Sequence, residues 1–562
     1  MALFWGGARR TAMGVYVLAS AVAVAYAEEE LKVSKANLGI SVMLLGSIAF
    51  MMSLFYLTNL QDRELRKYSW QVISATISIF SAVLLFQACN GVVDMFVPED
   101  ASGLFKLSVA VCHMMVWFGI LQLALALISG AVGGSSHELS EHDMKNMEVN
   151  LQCFAILLGH ITGFAAINTF ATLQQLVPRN GLCLFLCAPF AWILVYMLGR
   201  VTDGVRDSIA LADDGKIDEK EEKWDEATEE TEDDVVGLCV SFVIVQWLRY
   251  CISGSLPNAE GEESEELISS HTQGQVMALL LAGILLQAGN TYRTMYSKAV
   301  GSDRLAPQMR NVTAMVFSWC LFFSSDWWLS KMFFTEEHGM IKEVVLAMYV
   351  TFWSLALIFI LDKIQDMQGN DAKLDNAIRA IILGLSILIG FGWERAFDTA
   401  VAEVTAKVEG LPHAVTKMML AVLLTGIVIP AWKMHILPTI IAFEEEEKEE
   451  EREEKERDEE GGEEVRDGHP AALPALQQPL LDSEGTPRRS PHEHHAAPST
   501  VGLSVAELQR KYKSSVVQIG ELKAKLSQTE ELKKRNGELE ATVASISSEL
   551  GELQKLADLL TH

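Results

Sequence analysis

Residues 377–398 read "AIRAIILGLSILIGFGWERAFD". The apolar part of this stretch has the length that crosses a hydrocarbon layer of ~30 Å as a helix, about 20 residues. It then closes on Glu394, Arg395 and Asp398, three formal charges at the end of an apolar run. Similar apolar blocks stand near 38–58, 70–95, 106–130, 150–174, 181–199, 235–253, 272–292, 312–330, 343–361 and 414–434. Taken with 377–397 they make eleven spans, which defines an all-α, polytopic transmembrane helix bundle. A membrane barrel is excluded because its strands alternate apolar and polar residues over about 10 positions, and these runs do not.

Half of the 562 residues are hydrophobic, yet the formal net charge is −28. The charge is concentrated in two places. Residues 213–234 carry thirteen acids against three lysines, a net of −10, and residues 444–467 carry sixteen acids against five bases, a net of −11. The membrane body between them is close to neutral. No basic stripe of the kind that neutralises phosphates appears, which argues against nucleic acid as a partner. All eight cysteines fall in apolar runs, where cysteine behaves as a small hydrophobe, and no metal-ligand set is completed.

The first 27 residues have a basic pair, Arg9–Arg10, an apolar stretch and Ala25-Tyr26-Ala27 before Glu28. This is the pattern of a cleaved secretory signal, with an uncleaved first span as the rival. Either choice starts the next segment on the non-cytoplasmic side. The connections after odd-numbered spans are the more basic ones, as with Arg63, Arg66 and Lys67 or Arg293, Lys298, Arg304 and Arg310. Lys331, Lys342, Lys407 and Lys417 fall in the opposite loops. The positive-inside rule then puts residues 200–234 in an acidic cytoplasmic loop and the C-terminus in the cytoplasm. The expected location is a membrane of the secretory pathway or the cell surface.

The domains follow in order: a signal or first span over 1–27, the transmembrane domain over 28–436, a charged acidic helix over 437–467, and a disordered linker rich in Pro, Ala and Ser over 468–500. Residues 501–562 form a coiled coil. Leu508, Ile519, Leu522, Leu526, Leu532, Asn536, Leu539, Val543, Ile546, Leu550 and Leu553 lie on its seam. Asn536 at a core position fixes register and favours two strands. Such a seam needs a partner, so the chain is expected to dimerise through its tail and to offer that tail to cytosolic proteins.

Charged groups in a bilayer mark ion or proton routes unless they merely fringe the headgroups. Glu394, Arg395, Asp398 and Asp326 lie at one depth near the outer ends of their spans. Deeper polar residues are His160 and Asn168 in "AILLGHITGFAAINTF" and Gln287 and Asn290 in "GILLQAGNTY". Gly159 and Gly163 flank His160 as GxxxG, which lets helices approach closely. No zinc-protease, nucleophile-elbow, phosphate-loop or dinucleotide signature occurs, so neither an enzyme nor a cofactor is expected. The favoured reading is a transporter or channel for cations or protons, with these eight residues along its pathway. The alternatives are a membrane scaffold or receptor acting through its tail, and an intramembrane enzyme using His160 as base.

Overall fold

The computed structural model describes residues 35–98, 100–132, 140–212, 217–296, 304–334, 339–368, 372–405, 412–443 and 445–446. The expected signal, linker and coiled coil lie outside these residues, as does the acidic helix beyond residue 446. Every regular element described is a helix. In chain order they are α1 (Lys35–Thr58), α2 (Arg63–Asp94), α3 (Gly103–Ile128), α4 (Glu141–Leu176), α5 (Gly181–Ala210) and α6 (Glu219–Ser253). A short α7 (Glu265–Ser270) precedes α8 (Gln273–Tyr296), α9 (Leu305–Phe333), α10 (Gly339–Gln368), α11 (Ala372–Thr405) and α12 (His413–Ala431). A π-turn, Trp432–Ile436, follows α12.

Local chemistry sets the helix starts. Asp62, Ser102, Ser140 and Asn180 are N-caps whose side chains accept backbone N–H groups of the first turns of α2, α3, α4 and α5. Asp218 and Glu221 form a capping box at α6, and Gly254 ends α6 in the left-handed conformation at φ 78°.

Ten of the described helices, all but α7 and α9, are long and apolar enough to cross a membrane. The eleventh expected span, 312–330, falls within α9, which does not reach that apolarity. The reason is visible in its packing. Ser318, Ser324, Ser325, Asp326 and Ser330 of α9 are all buried against other helices. A helix sheltered from lipid has no need to be uniformly apolar.

Helices α2, α4, α6, α9 and α11 run in one direction and pack side by side into a closed ring, α4 on α6, α6 on α9, α9 on α11, α11 on α2 and α2 on α4. The oppositely running helices lie outside it, and α3, α5 and α12 leave most of their apolar surface uncovered. The ring is filled by aromatic side chains. Phe391 of α11 meets Trp319 at 4.9 Å, Phe322 at 5.3 Å and Phe164 at 6.2 Å between ring centroids. Phe242 of α6 closes on Trp319 at 5.4 Å.

Small residues make the ring tight. A Cβ on Gly159 would stand 2.5 Å from Thr231 Cγ2, and one on Gly163 would stand 2.6 Å from Leu238 Cδ1. The GxxxG pair is thus the contact of α4 with α6. On α11, a Cβ on Gly390 would come within 3.0 Å of Thr76 Cα, so α2 and α11 meet backbone to backbone.

The acidic stretch expected as a loop over 200–234 is carried on helices instead. Residues 200–210 finish α5, and from Glu219 the chain is already α6. Glu221, Trp224, Thr228, Thr231 and Glu232 are buried. They recur at three- and four-residue spacing, one helical face.

Candidate functional site

Buried charges gather at both ends of the ring. At the end where α6 and α9 begin, two arginines sit among carboxylates. Arg206, on α5, donates to Asp225 at 2.6 Å, to Glu232 at 3.0 Å and to Asp203. Arg304, just before α9, donates to Asp233 and Glu232 at 2.9 Å each and to Asp203 at 3.2 Å. Gln122 and Thr202 also donate to Glu232, at 2.8 and 2.7 Å. Burial opposes the charge on Arg304, but its hydrogen bonds to Asp233 and Glu232 raise its affinity for the proton above that of an ordinary arginine. Glu232 is therefore a buried carboxylate with donors on both oxygens, three on Oε1 and Arg304 on Oε2, which meets the requirement for a stable buried ion cluster.

At the opposite end the arrangement differs. Arg249, near the end of α6, donates to Gly261 O at 2.7 Å and pairs with Glu263 at 2.8 Å. Its guanidinium lies 3.9 Å from the centre of the Phe323 ring. Glu263 Oε2 also takes Trp327 Nε1–H at 3.0 Å and contacts His271 Nε2 at 2.8 Å, while the His271 ring stacks on Trp327 at 3.8 Å. Burial alone would raise the Glu263 carboxyl, but the His271 hydrogen bond and the Arg249 guanidinium bring it below the usual glutamate range. Gly261 is at φ +85°, and a Cβ there would meet Phe242 Cζ at 2.9 Å, so this turn requires glycine.

Next to this group, Asp326 of α9 pairs with Lys342 of α10 at 2.9 Å, and Glu343 of α10 pairs with Arg395 of α11 at 3.0 Å. Asp398 of α11 pairs with Lys417 of α12, whose ammonium also donates to Gln87 of α2 at 2.9 Å. One turn before Asp398 stands Glu394, which is 0% exposed. Neither of its carboxylate oxygens has a hydrogen-bond partner among the described residues.

The structure therefore brings together four of the eight expected pathway residues, Asp326, Glu394, Arg395 and Asp398. They are not an exposed fringe; they lie between helices. The other four stand apart from them. His160 is buried on α4 with Nδ1 unpartnered among the described residues. Asn168 approaches Asn90 of α2 at 3.5 Å, and Asn290 of α8 donates to Thr313 of α9 at 3.0 Å. Gln287 lines a lateral cavity rather than the ring. Lys342, Glu343, Glu263 and Lys417 are members of the charged cluster that the sequence did not single out.

Among the described residues no group of three His, Cys, Asp or Glu side chains is placed to hold a metal ion. The eight cysteines are unpaired thiols. Fold and composition together define the class: an all-helical bundle with ten helices fit to cross a membrane, compatible with a multi-pass integral membrane protein. The chain matches no protein-family model, no curated protein and no solved structure.

Proposed function

We propose that the chain is a membrane transporter or channel that passes cations or protons through its ring of five parallel helices, with Glu394 as the residue that receives them. The supporting observation is the contrast between two buried glutamates at opposite ends of the ring. Glu232 accepts from Arg206, Arg304, Gln122 and Thr202, whereas Glu394 has no donor on either oxygen among the described residues. A bare carboxylate in a low-dielectric interior is strongly disfavoured, so Glu394 exists with a proton on one oxygen or with a cation in contact. Asp398, four residues on, extends the negative site, and Lys417 balances it until a permeating cation does so.

Further polar atoms without a hydrogen-bond partner among the described residues lie on the ring helices: Thr76 Oγ1 and Ser81 Oγ on α2, His160 Nδ1 and Thr162 Oγ1 on α4. A proton or a hydrated cation leaving Glu394 would use such groups, while the Phe391–Trp319–Phe322 cluster blocks the axis in this conformation. The Arg206–Glu232–Arg304 cluster holds the far end shut. In this reading the charged end near Glu394 faces away from the cytoplasm, the tail lies in the cytoplasm, and a coiled coil joins two copies.

Flux in vesicles reconstituted with the full chain tests this, comparing wild type with Glu394→Gln, Asp398→Asn over a panel of cations and protons. Selective loss of flux in the double variant is expected. Unchanged flux in the variant, or none in the wild type for any cation or proton, overturns the proposal and moves a scaffold role through the tail to first place.

A further inference from the structure

Away from the charged cluster, a cavity of about 980 Å³ opens sideways from the bundle between α8 and α10, with α9 and α11 as its floor. It follows α8 from Gln273 to Tyr296, a length of about 35 Å at 1.5 Å per residue. Its walls are mainly Leu, Ile, Met and aromatic side chains, with Gln273, Thr291, Ser324 and Ser325 among them, and Ile284, Tyr292, Trp353 and Ile360 stand exposed along its rim. Among the described residues no Asp, Glu, Lys or Arg lines it. A phosphate or ammonium headgroup would find no counter-charge there.

One of the residues lining the groove carries an unanswered polar atom. Gln287 is 6% exposed, and its Oε1 has no hydrogen-bond partner among the described residues. Its Nε2 donates to Thr291 Oγ1 at 3.2 Å, one turn along the same wall. Gln287 is fourteen residues into α8, about 21 Å from the helix start, so a ligand must bring its polar group deep into an apolar slot. A buried amide end without a partner is costly, and a hydroxyl suits either end of the amide because it both donates and accepts. A single uncharged hydroxyl on a hydrocarbon body meets both conditions, the mainly apolar walls and the unpartnered acceptor.

We infer that the groove binds an uncharged apolar alcohol from within the membrane, with its hydrocarbon body between α8 and α10 and its hydroxyl on Gln287. This site is independent of the transport reading and survives if that reading fails. The ligand enters laterally, as the exposed apolar rim allows, and ordinary phospholipid is disfavoured by the lack of charge in the walls.

The test uses the full chain in phosphatidylcholine vesicles containing a diazirine-bearing hexadecanol, with crosslinked peptides mapped after irradiation. Labelling should concentrate on residues of α8 and α10. Free hexadecanol should compete on the order of tenfold better than its methyl ether, which cannot donate. Gln287→Leu should erase that preference without abolishing labelling. Ala288→Trp, which fills the groove from a different position, should remove the labelling itself and keeps the test decisive if Gln287→Leu does not fold. Equal competition by alcohol and ether, a preference that survives Gln287→Leu, labelling that survives Ala288→Trp, or labelling spread evenly over the bundle would each overturn the inference.

Discussion

Arg395 and Asp398, three positions apart on α11, pair with different helices: Arg395 with Glu343 of α10 and Asp398 with Lys417 of α12. The sequence spacing allows them to pair with each other, as neighbours on one helical face do. Instead each bridges α11 to a different outer helix. Glu394, the residue before Arg395, is held inside the bundle with no hydrogen-bond partner among the described residues.

Removing one member of a buried pair leaves its partner uncompensated. Arg395→Leu leaves Glu343 with the more distant Lys342 ammonium at 3.8 Å and should lower stability by up to about 3–5 kcal/mol. The double change Arg395→Leu, Glu343→Leu should recover most of that loss. Thermal unfolding of the purified chain in detergent checks both, and equal losses in the single and double variants would show that the pair is not coupled.

The same logic at the other end of the ring predicts a larger disturbance from Glu232→Ala than from Asp225→Ala. Glu232 satisfies both buried arginines, whereas Asp225 holds only Arg206 and is half-exposed. The expected cost for Glu232→Ala is about 3–5 kcal/mol. Similar unfolding temperatures for the two variants would contradict it.

Helix approach can be tested through the glycines. Gly390→Ala drives a methyl against the Thr76 backbone, which cannot yield, and should cost about 1–3 kcal/mol. Gly163→Ala meets side-chain atoms of Leu238, Cδ1 at 2.6 Å and Cβ at 3.3 Å, rather than backbone, and should cost less. A reversed order would mean that the α2–α11 contact is looser than its geometry.

The Glu263 carboxyl carries a pH prediction. Its folded-state affinity for protons is depressed below the unfolded value, so it contributes stability above the ordinary glutamate range and loses it as pH falls through the folded value. Acidification from neutrality to below about pH 4 should therefore destabilise the wild type more than Glu263→Gln, given an ordinary glutamate near 4.3. Parallel acid-unfolding curves for the two proteins would sink the assignment.

Much of this fold is legible in the apolar blocks, because a helix facing lipid must be apolar over its full length. The ring-forming α9 is the hardest to read by that rule, since its Ser and Asp side chains are shielded by other helices. The polar face of the first half of α6 is also written in the chain: Trp224, Thr228 and Glu232 repeat every four residues, a stripe that the sheer density of acids in 213–234 obscures. For the candidate site, Asp326, Glu394, Arg395 and Asp398 stand out as charges at the ends of apolar runs. Their partners do not. Lys342 and Lys417 read as loop charges, yet both fold inward onto Asp326 and Asp398. Pairing across helices depends on which faces meet, and a single sequence does not carry that information.

The ring's common direction has an electrical consequence. Each helix carries a macrodipole worth about half an elementary charge at either end, positive at its start and negative at its finish. Five helices aligned in one sense add these ends together around a single axis, while the opposing helices lie farther from it. The end of the ring where these helices finish is thus biased towards negative potential before any side chain is counted, and the end where they begin is biased towards positive. Arg249, close to the finish of α6, meets the sign that suits it, as do Glu219, Glu221 and Glu222 in the first turn of the same helix.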